Sequence, residues 1–226
     1  MNILAIETTS PAASVALIDG SRQVLMERSD EKLSHLQNLM PMIDRILKTR
    51  QMQIGDINCI AVSEGPGSFT GIRIGMAAAK GLAQVLDIGI IPVPTLKAMV
   101  LSMPGHEGIL CPMLDARRGQ VYGGAYIWKE KENGRRECVE IVPGGAYMEQ
   151  ELRAMAEAAR AERDIAAETA YLGDECQLAS NVAQLAFESY KNGAVKNLFE
   201  IHPVYMRKAE AERKLEEKLR QEQERK

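Results

Sequence analysis

Two carboxylates and a run of glycines carry the residue types that could do chemistry in this sequence. Glu7 closes the apolar stretch "NILAIE" and Asp115 closes "ILCPMLD", so both stand where a strand would end. Carboxylate oxygens at strand ends are the hard ligands a magnesium nucleotide takes, and Glu7, with Thr8 beside it, could face Asp115 across a pair of lobes. Between them lies "SEGPGSFTGIRIGMAAAKGLAQVL", residues 63–86, which sets Gly65, Pro66, Gly67 and Gly71 at the mouth of a long helical pattern. The backbone at Gly65 and Gly67, with the positive end of the helix dipole, could cradle a phosphate. Against that, Pro66 has no N–H, the spacing G-x-G-x-x-x-G is not the dinucleotide fingerprint, and no Gly-Lys-Ser/Thr follows. Lys80 lies too far along the helix to stand in for that lysine. The competing reading is mechanical: a sharp turn at residues 65–67, a cap from Ser68 or Thr70, and a smooth face of Gly71, Gly75 and Ala79 for close packing. The spacing favours the mechanical reading and leaves anion capture open.

Other chemistries find fewer parts. His35, His106 and His202 are far apart in sequence and form no ligand pair. No Ser/His/Asp set or HExxH is present, which argues against hydrolytic and metalloprotease chemistry. Cys59, Cys111, Cys138 and Cys176 show no CxxC or ligand-like spacing and are expected to be reduced, structural thiols.

The elements that must position these groups are read twice along the chain. Residues 2–6, 14–18 and 23–27 form three short strands, with Asp19-Gly20 as a two-residue hairpin. In "SHLQNLMPMIDRILKTR", Ser34 and Gln37 make a capping box, Leu36, Leu39, Met40, Ile43 and Leu47 share a helical face, and Pro41 should kink the helix. "INCIAVSEG" is a buried strand feeding the glycine loop and second helix; "GIIPVP" is a further strand, with Thr95 capping the helix "LKAMVLSM". After "PGHEG" the order restarts. A strand to Asp115, a tight turn, a long strand, a polar turn at Asn133-Gly134 and another strand precede a helix over 149–163, the strand "AYLGD" and a helix over 180–191.

Two lobes, each opening with a three-strand meander, predict an α/β, two-lobed actin-like ATPase architecture (the ASKHA, sugar-kinase-like class), each lobe a mixed sheet with flanking helices. The expected divisions are an N-terminal lobe at 1–104, a C-terminal lobe at 105–203, and a charged helix at 204–226 returning toward the N-terminal lobe. Basic and acidic residues nearly cancel, 28 against 31, so no broad cationic surface is available to track a nucleic acid. The N-terminus lacks a basic segment and Glu7 interrupts its apolar stretch, so a cytoplasmic chain without a membrane partner is expected.

Taken together and in order, "ILAIETTSPAASVALI", "SHLQNLMPMI", "GPGSFTGIRIGMAAAKGLA", "LDARRGQVY" and "PVYMRK" resemble the TsaB family of bacterial tRNA threonylcarbamoyladenosine biosynthesis proteins, once described as glycoprotease-like. The resemblance covers nearly the whole chain and is most specific over residues 65–83. It implies a chain with no catalytic residue of its own. As a scaffold it would be required, with TsaD and the small ATPase TsaE, for threonylcarbamoyl transfer to N6 of the adenosine adjacent to the anticodon in tRNAs reading codons that start with A. It further implies a heterodimer with TsaD, a homodimer in isolation, and tRNA contact only through the complex.

In the catalytic relative TsaD, a comparable glycine-rich helix is followed by a strand and two metal-binding histidines spaced H-x-x-x-H. Carried onto this sequence, those positions fall at Thr95 and Met99, neither of which replaces an imidazole. No metal and no required cofactor are therefore expected, with weak or shared ATP or ADP binding at a vestigial site of Glu7, Thr8, Gly65, Gly67 and Asp115. Glu7 departs from the aspartate more often found in the family, and its extra methylene would displace the carboxylate from a magnesium position.

A chain that does no chemistry is expected to show where it docks. The expected partner interface comprises Leu36, Leu39, Met40 and Ile43 on the first long helix and Gly71, Ile72, Gly75, Met76 and Ala79 on the second, pairing as four helices with TsaD or a second copy, although part of this set must cover the lobe's own sheet. Twelve methionines, several on these helices, suit a surface that repacks against partners. The alternatives are an autonomous actin-like ATPase or small-molecule kinase and, more distantly, a protease.

Overall fold

The structure, a computed structural model, describes residues 1–29, 35–132, 134 and 136–207, with 35 and 36 by backbone alone. The element order is β1 (Ile3–Glu7), β2 (Ser14–Ile18), β3 (Val24–Arg28), α1 (His35–Thr49), β4 (Cys59–Gly65), α2 (Phe69–Leu86), β5 (Gly89–Pro94) and α3 (Thr95–Val100). Then come β6 (Leu110–Asp115), β7 (Gln120–Glu130), β8 (Arg136–Met148), α4 (Glu149–Glu162), β9 (Ala170–Leu172) and α5 (Ala179–Lys191). The first sheet is ordered β3-β2-β1-β4-β5 and the second β8-β7-β6-β9, so the second repeats the first four strands of the first. In each, a meander of antiparallel strands is extended by a parallel partner, β4 on β1 and β9 on β6. This is the two-lobed, actin-like α/β class that the paired meanders predict.

The runs "ILAIE" and "SVALI" are apolar almost throughout because β1 and β2 are buried on both faces. Residues on one face, Leu4, Ile6, Val15 and Leu17, pack under α1 and α2. On the opposite face, Ile3, Ala5, Ala16 and Ile18 pack under α5 through Val182, Ala186 and Phe187. Each valine, leucine, isoleucine or phenylalanine among these contributes about 1.5–3 kcal/mol when fully withdrawn from water. The second sheet is likewise covered on both sides, by α4 over Cys111, Val121 and Ala125 and by α3 over Leu110, Leu114 and Tyr126.

Several local expectations change. The β2–β3 connection is a five-residue loop in which Ile18 pairs with Val24, not a two-residue turn at Asp19-Gly20. Asp19 Oδ1 accepts from the Ser21 and Gln23 amides, and Arg22, not glycine, adopts the left-handed conformation at φ 66°. On α1 the buried stripe is Leu39, Met42, Ile43, Ile46 and Leu47, whereas Met40 is 51% exposed. Pro41 sits on the solvent side and α1 continues through it, since water can serve the carbonyl that loses its helical donor. The cap expected at Ser34, the side chain of Leu36, Asn133 and residues 208–226 lie outside the described residues.

The lobe boundaries also shift. Residues 179–191, expected in the C-terminal lobe, form α5 on the N-terminal sheet, and Lys196 makes a two-bond bridge to Ile90 at the edge of that sheet. Ile201 lies in the α1–α2 core. The apolar face of α5 has no counterpart in the second sheet, whose faces are already covered, so the chain crosses back after β9. Residues 204–207, expected to begin the charged helix, are not helical.

Candidate functional site

The repeated topology brings the ends of β1 and β6 to comparable positions, and both terminal carboxylates behave alike. Glu7 Oε1 accepts from the Thr9 amide at 2.5 Å, and Asp115 Oδ1 accepts from the Arg117 amide at 2.7 Å. Each acid therefore folds the backbone two residues beyond it into a tight turn. Glu7 goes further: Oε1 also accepts from Thr9 Oγ1 at 2.6 Å, and Oε2 accepts from the Ser63 hydroxyl on β4. Thr9 Oγ1 in turn accepts from Gln177 Nε2 at 2.8 Å, extending the chain of bonds to the segment that leads into α5. Glu7, Thr9, Ser63 and Gln177 are each 3% exposed or less. Burial pushes the Glu7 carboxyl above its ordinary range, opposed by the hydroxyls and amides that hydrogen-bond to it.

A cleft of about 620 Å³ opens between the lobes, lined among others by Thr9, Gly67, Asp115, Tyr122, Gln177 and Tyr205. Of the five residues expected to hold a nucleotide, only Gly67 and Asp115 line it. Glu7 and Thr8 are each 1% exposed, and Gly65 backs onto the Val204 carbonyl. A magnesium nucleotide implied by the fold class does not fit Glu7, whose two oxygens are both engaged by donors from its own lobe. Among the described residues, no group of three or more His, Cys, Asp or Glu side chains is placed to hold a metal ion.

The glycine loop is built for close approach. Gly65 and Gly67 have φ of +116° and +154°, where a side chain would be strained, and a Cβ on Gly67 would stand 2.6 Å from Thr9 Cβ. The Ser68 amide donates to Thr9 O at 2.8 Å, and Ser68 Oγ caps α2 by accepting from the Gly71 amide at 3.2 Å. Gly71 and Gly75 form a groove in which Thr8 lies: its hydroxyl donates to Gly71 O at 2.7 Å, and a Cβ on either glycine would overlap it. The smooth face expected to receive a partner is thus occupied by the β1–β2 turn of the same lobe. Leu39, Ile43, Met76 and Ala79 lie in the α1–α2 core, and Ile72 is 1% exposed. Of the expected interface residues whose side chains are described, only Met40 is exposed. The outward stripe of α2 is instead Arg73, Ala77, Gly81 and Val85, the last 84% exposed.

Thr95 and Met99 are fully buried on α3, Thr95 as its first residue and not the expected cap, Met99 within the apolar cluster beneath the second sheet. Thr95 Oγ1 has no hydrogen-bond partner among the described residues. Burial pushes the thiols of Cys59 and Cys111 up to about 12 and that of Cys138 to about 11, so they stay protonated and inert.

The model of the TsaD family, described as tRNA N6-adenosine threonylcarbamoyltransferase, matches residues 29–218. The chain belongs to that family. Within it the resemblance to TsaB drawn from the sequence motifs is borne out. The chain is 38% identical over 143 residues to the tRNA threonylcarbamoyladenosine biosynthesis protein TsaB of Bacillus subtilis, covering 63% of this chain and 60% of that one. It is 40% identical over 137 residues to TsaB of Escherichia coli, covering 59% and 58%. The matched region thus spans under two thirds of the length of these curated relatives. A Pseudomonas aeruginosa structure, described as an uncharacterized protein with similarity to peptidase YeaZ, superposes with a TM-score of 0.74 at 25% identity, covering 91% of this chain and 99% of that one.

Sequence reasoning found Glu7, Asp115 and the glycines but missed Thr9, Ser63 and Gln177. The "ETTS" run held the signal for Thr9, since hydroxyls after a strand-end acid favour such a turn. Nothing local marks Gln177, which is 168 residues from Thr9.

Proposed function

We propose that this chain is a non-catalytic scaffold in the formation of threonylcarbamoyladenosine in tRNA, holding a TsaD-type partner and acting with a TsaE-type ATPase. The observation that carries the reading is the engagement of Glu7: the carboxylate best placed by sequence to hold a magnesium nucleotide instead bonds to Thr9 and Ser63 and fixes a turn. The chemistry of Thr95 and Met99 supports it, since a buried hydroxyl and thioether are poor replacements for two imidazoles. On this reading the chain requires no cofactor, and ATP or ADP binds the interlobe cleft weakly or jointly with a partner.

The partner surface is the exposed side of α1 and α2, centred on Met40 and the stripe of Arg73, Ala77, Gly81 and Val85. Small residues at 77 and 81 allow the backbone of a partner helix to approach closely, in a homodimer or with the TsaD-type protein. The test is reconstitution. The purified chain alone should turn over no ATP, while adding it to TsaD, TsaE, tRNA and a threonylcarbamoyl donor should restore modification. Ala77→Arg should abolish co-sedimentation with TsaD and leave the circular dichroism spectrum unchanged. Vigorous turnover by the chain alone, or unaltered co-sedimentation of that variant, would count against the proposal.

A further inference from the structure

Among the described residues the chain passes between the lobes three times, and the third passage is held by side chains and backbone contacts on both sides. The first runs from α3 to β6 and the second from β9 to α5. They are tied to each other by Asn181, whose Nδ2 donates to Ser102 Oγ at 2.7 Å and to Cys176 O at 3.1 Å. The third is the segment from Val204 to Arg207, every residue of which lines the interlobe cleft. On the N-terminal side, the Val204 amide donates to Glu64 O at 2.7 Å, and the Val204 carbonyl occupies the space a side chain at Gly65 would need. Tyr205 stacks on Phe69 at the start of α2, with ring centroids 4.7 Å apart, and its hydroxyl accepts from Arg73 Nε at 2.9 Å. Arg73 lies 4.0 Å over the Phe69 ring, so ring, ring and guanidinium form one stack. On the C-terminal side, Met206 packs against the Leu96–Leu114 cluster and against Gly144, and Arg207 donates to Ala116 O at 2.9 Å, next to the turn shaped by Asp115.

We propose that residues 204–207 are a latch across the cleft, fixing the separation of the two lobes, and that releasing them lets the lobes open about the paired crossings at Ser102 and Cys176. Over four residues the grip passes from the glycine loop of one sheet to the strand-end turn of the other. Both structures line the cleft, from opposite lobes, so the latch sets how wide the cleft stands. The sequence continues from Arg207 into the charged run "KAEAERKLEEKLRQEQERK", so a partner that draws on that run would act on the latch directly.

The test uses the full chain with Cys176→Ser, which removes the one thiol that is not buried, and spin labels on cysteines placed at Lys48 and Lys131, exposed positions on opposite lobes. Tyr205→Ala with Arg207→Ala should at least double the width of the interlabel distance distribution. Amide exchange should quicken about tenfold or more at residues 67–70 and 116–119, while the amides of β1 and β4 keep their protection. Arg207→Gln alone, which leaves the aromatic stack in place, serves if the double variant folds poorly, and should widen the distribution to a lesser degree. An unchanged distribution in folded variants would overturn the latch. So would exchange that quickens equally in β1 and β4, because the segment would then be supporting the whole fold and not the cleft.

Discussion

Gly71→Ala isolates the packing role of the glycine loop. In an unobstructed helix interior this change stabilises by about 1 kcal/mol, because alanine forms helix more readily than glycine. At residue 71 the new methyl would overlap the backbone carbonyl of Thr8, and moving Thr8 away would strain the bond its hydroxyl donates to Gly71 O. Overpacking of this kind costs about 1–3 kcal/mol and the strained hydrogen bond about 0.5–1.5 kcal/mol more. The balance is a loss of about 0.5–3.5 kcal/mol, or roughly 1–14 °C in Tm for a chain of this size. Gly81 in the same helix is the internal control, since it is exposed and a Cβ there meets nothing within 4 Å. Gly81→Ala should gain about 1 kcal/mol. Urea unfolding of both variants, followed by circular dichroism, reads the contrast. If Gly71→Ala stabilised as much as Gly81→Ala, Thr8 would not be seated in the α2 groove and the mechanical reading of the loop would fail.

Glu7→Gln should remove a pH dependence. Because burial raises the Glu7 pKa in the folded chain, the folded state keeps a proton that the unfolded state has released, so the stabilising effect is full below the unfolded pKa and declines as pH rises through the folded one. Unfolding followed from about pH 4 to 8 should show the variant gaining on the parent as pH rises, and a constant difference would contradict this. Leu39→Arg should cost more than about 3 kcal/mol by burying a charge in the α1–α2 core, whereas Met40→Arg should stay within about 0.5 kcal/mol of the parent in thermal melts and weaken partner binding. Thr95→Val, which replaces an unpartnered buried hydroxyl by a methyl of similar size, should raise stability by up to about 2 kcal/mol in denaturant melts.

The sequence was most legible where local pattern and burial coincide. The meanders, the order of helices and the acid at the end of each leading strand could all be read from apolar runs and turn residues. What local pattern could not supply was the destination of each face. Gly71 and Gly75 read as part of a smooth docking surface because their occupant, Thr8, lies 63 residues away from Gly71 in sequence. The helix expected over 180–191 reads simply as the next element after the strand "AYLGD", while its Ala-rich face answers the far side of the first sheet. The stripe read on α1 includes Met40 and passes over Met42, whereas in the fold Met42 is buried and Met40 is exposed. At Glu7, residue type suggested a metal ligand. The hydroxyls that engage it come from an adjoining turn and a parallel strand, a pairing that becomes visible only when β1 and β4 lie side by side.

Glu7→Gln in the reconstituted reaction is the most direct measurement of whether this chain works as a scaffold or as a catalyst. Glutamine can still accept from Thr9 and can donate to Ser63 Oγ, so the turn should persist. With TsaD, TsaE, tRNA and donor supplied, the variant should support threonylcarbamoyladenosine formation at the parent rate, and neither form alone should hydrolyse ATP. Magnesium-dependent turnover by the parent chain that Glu7→Gln abolishes would contradict it.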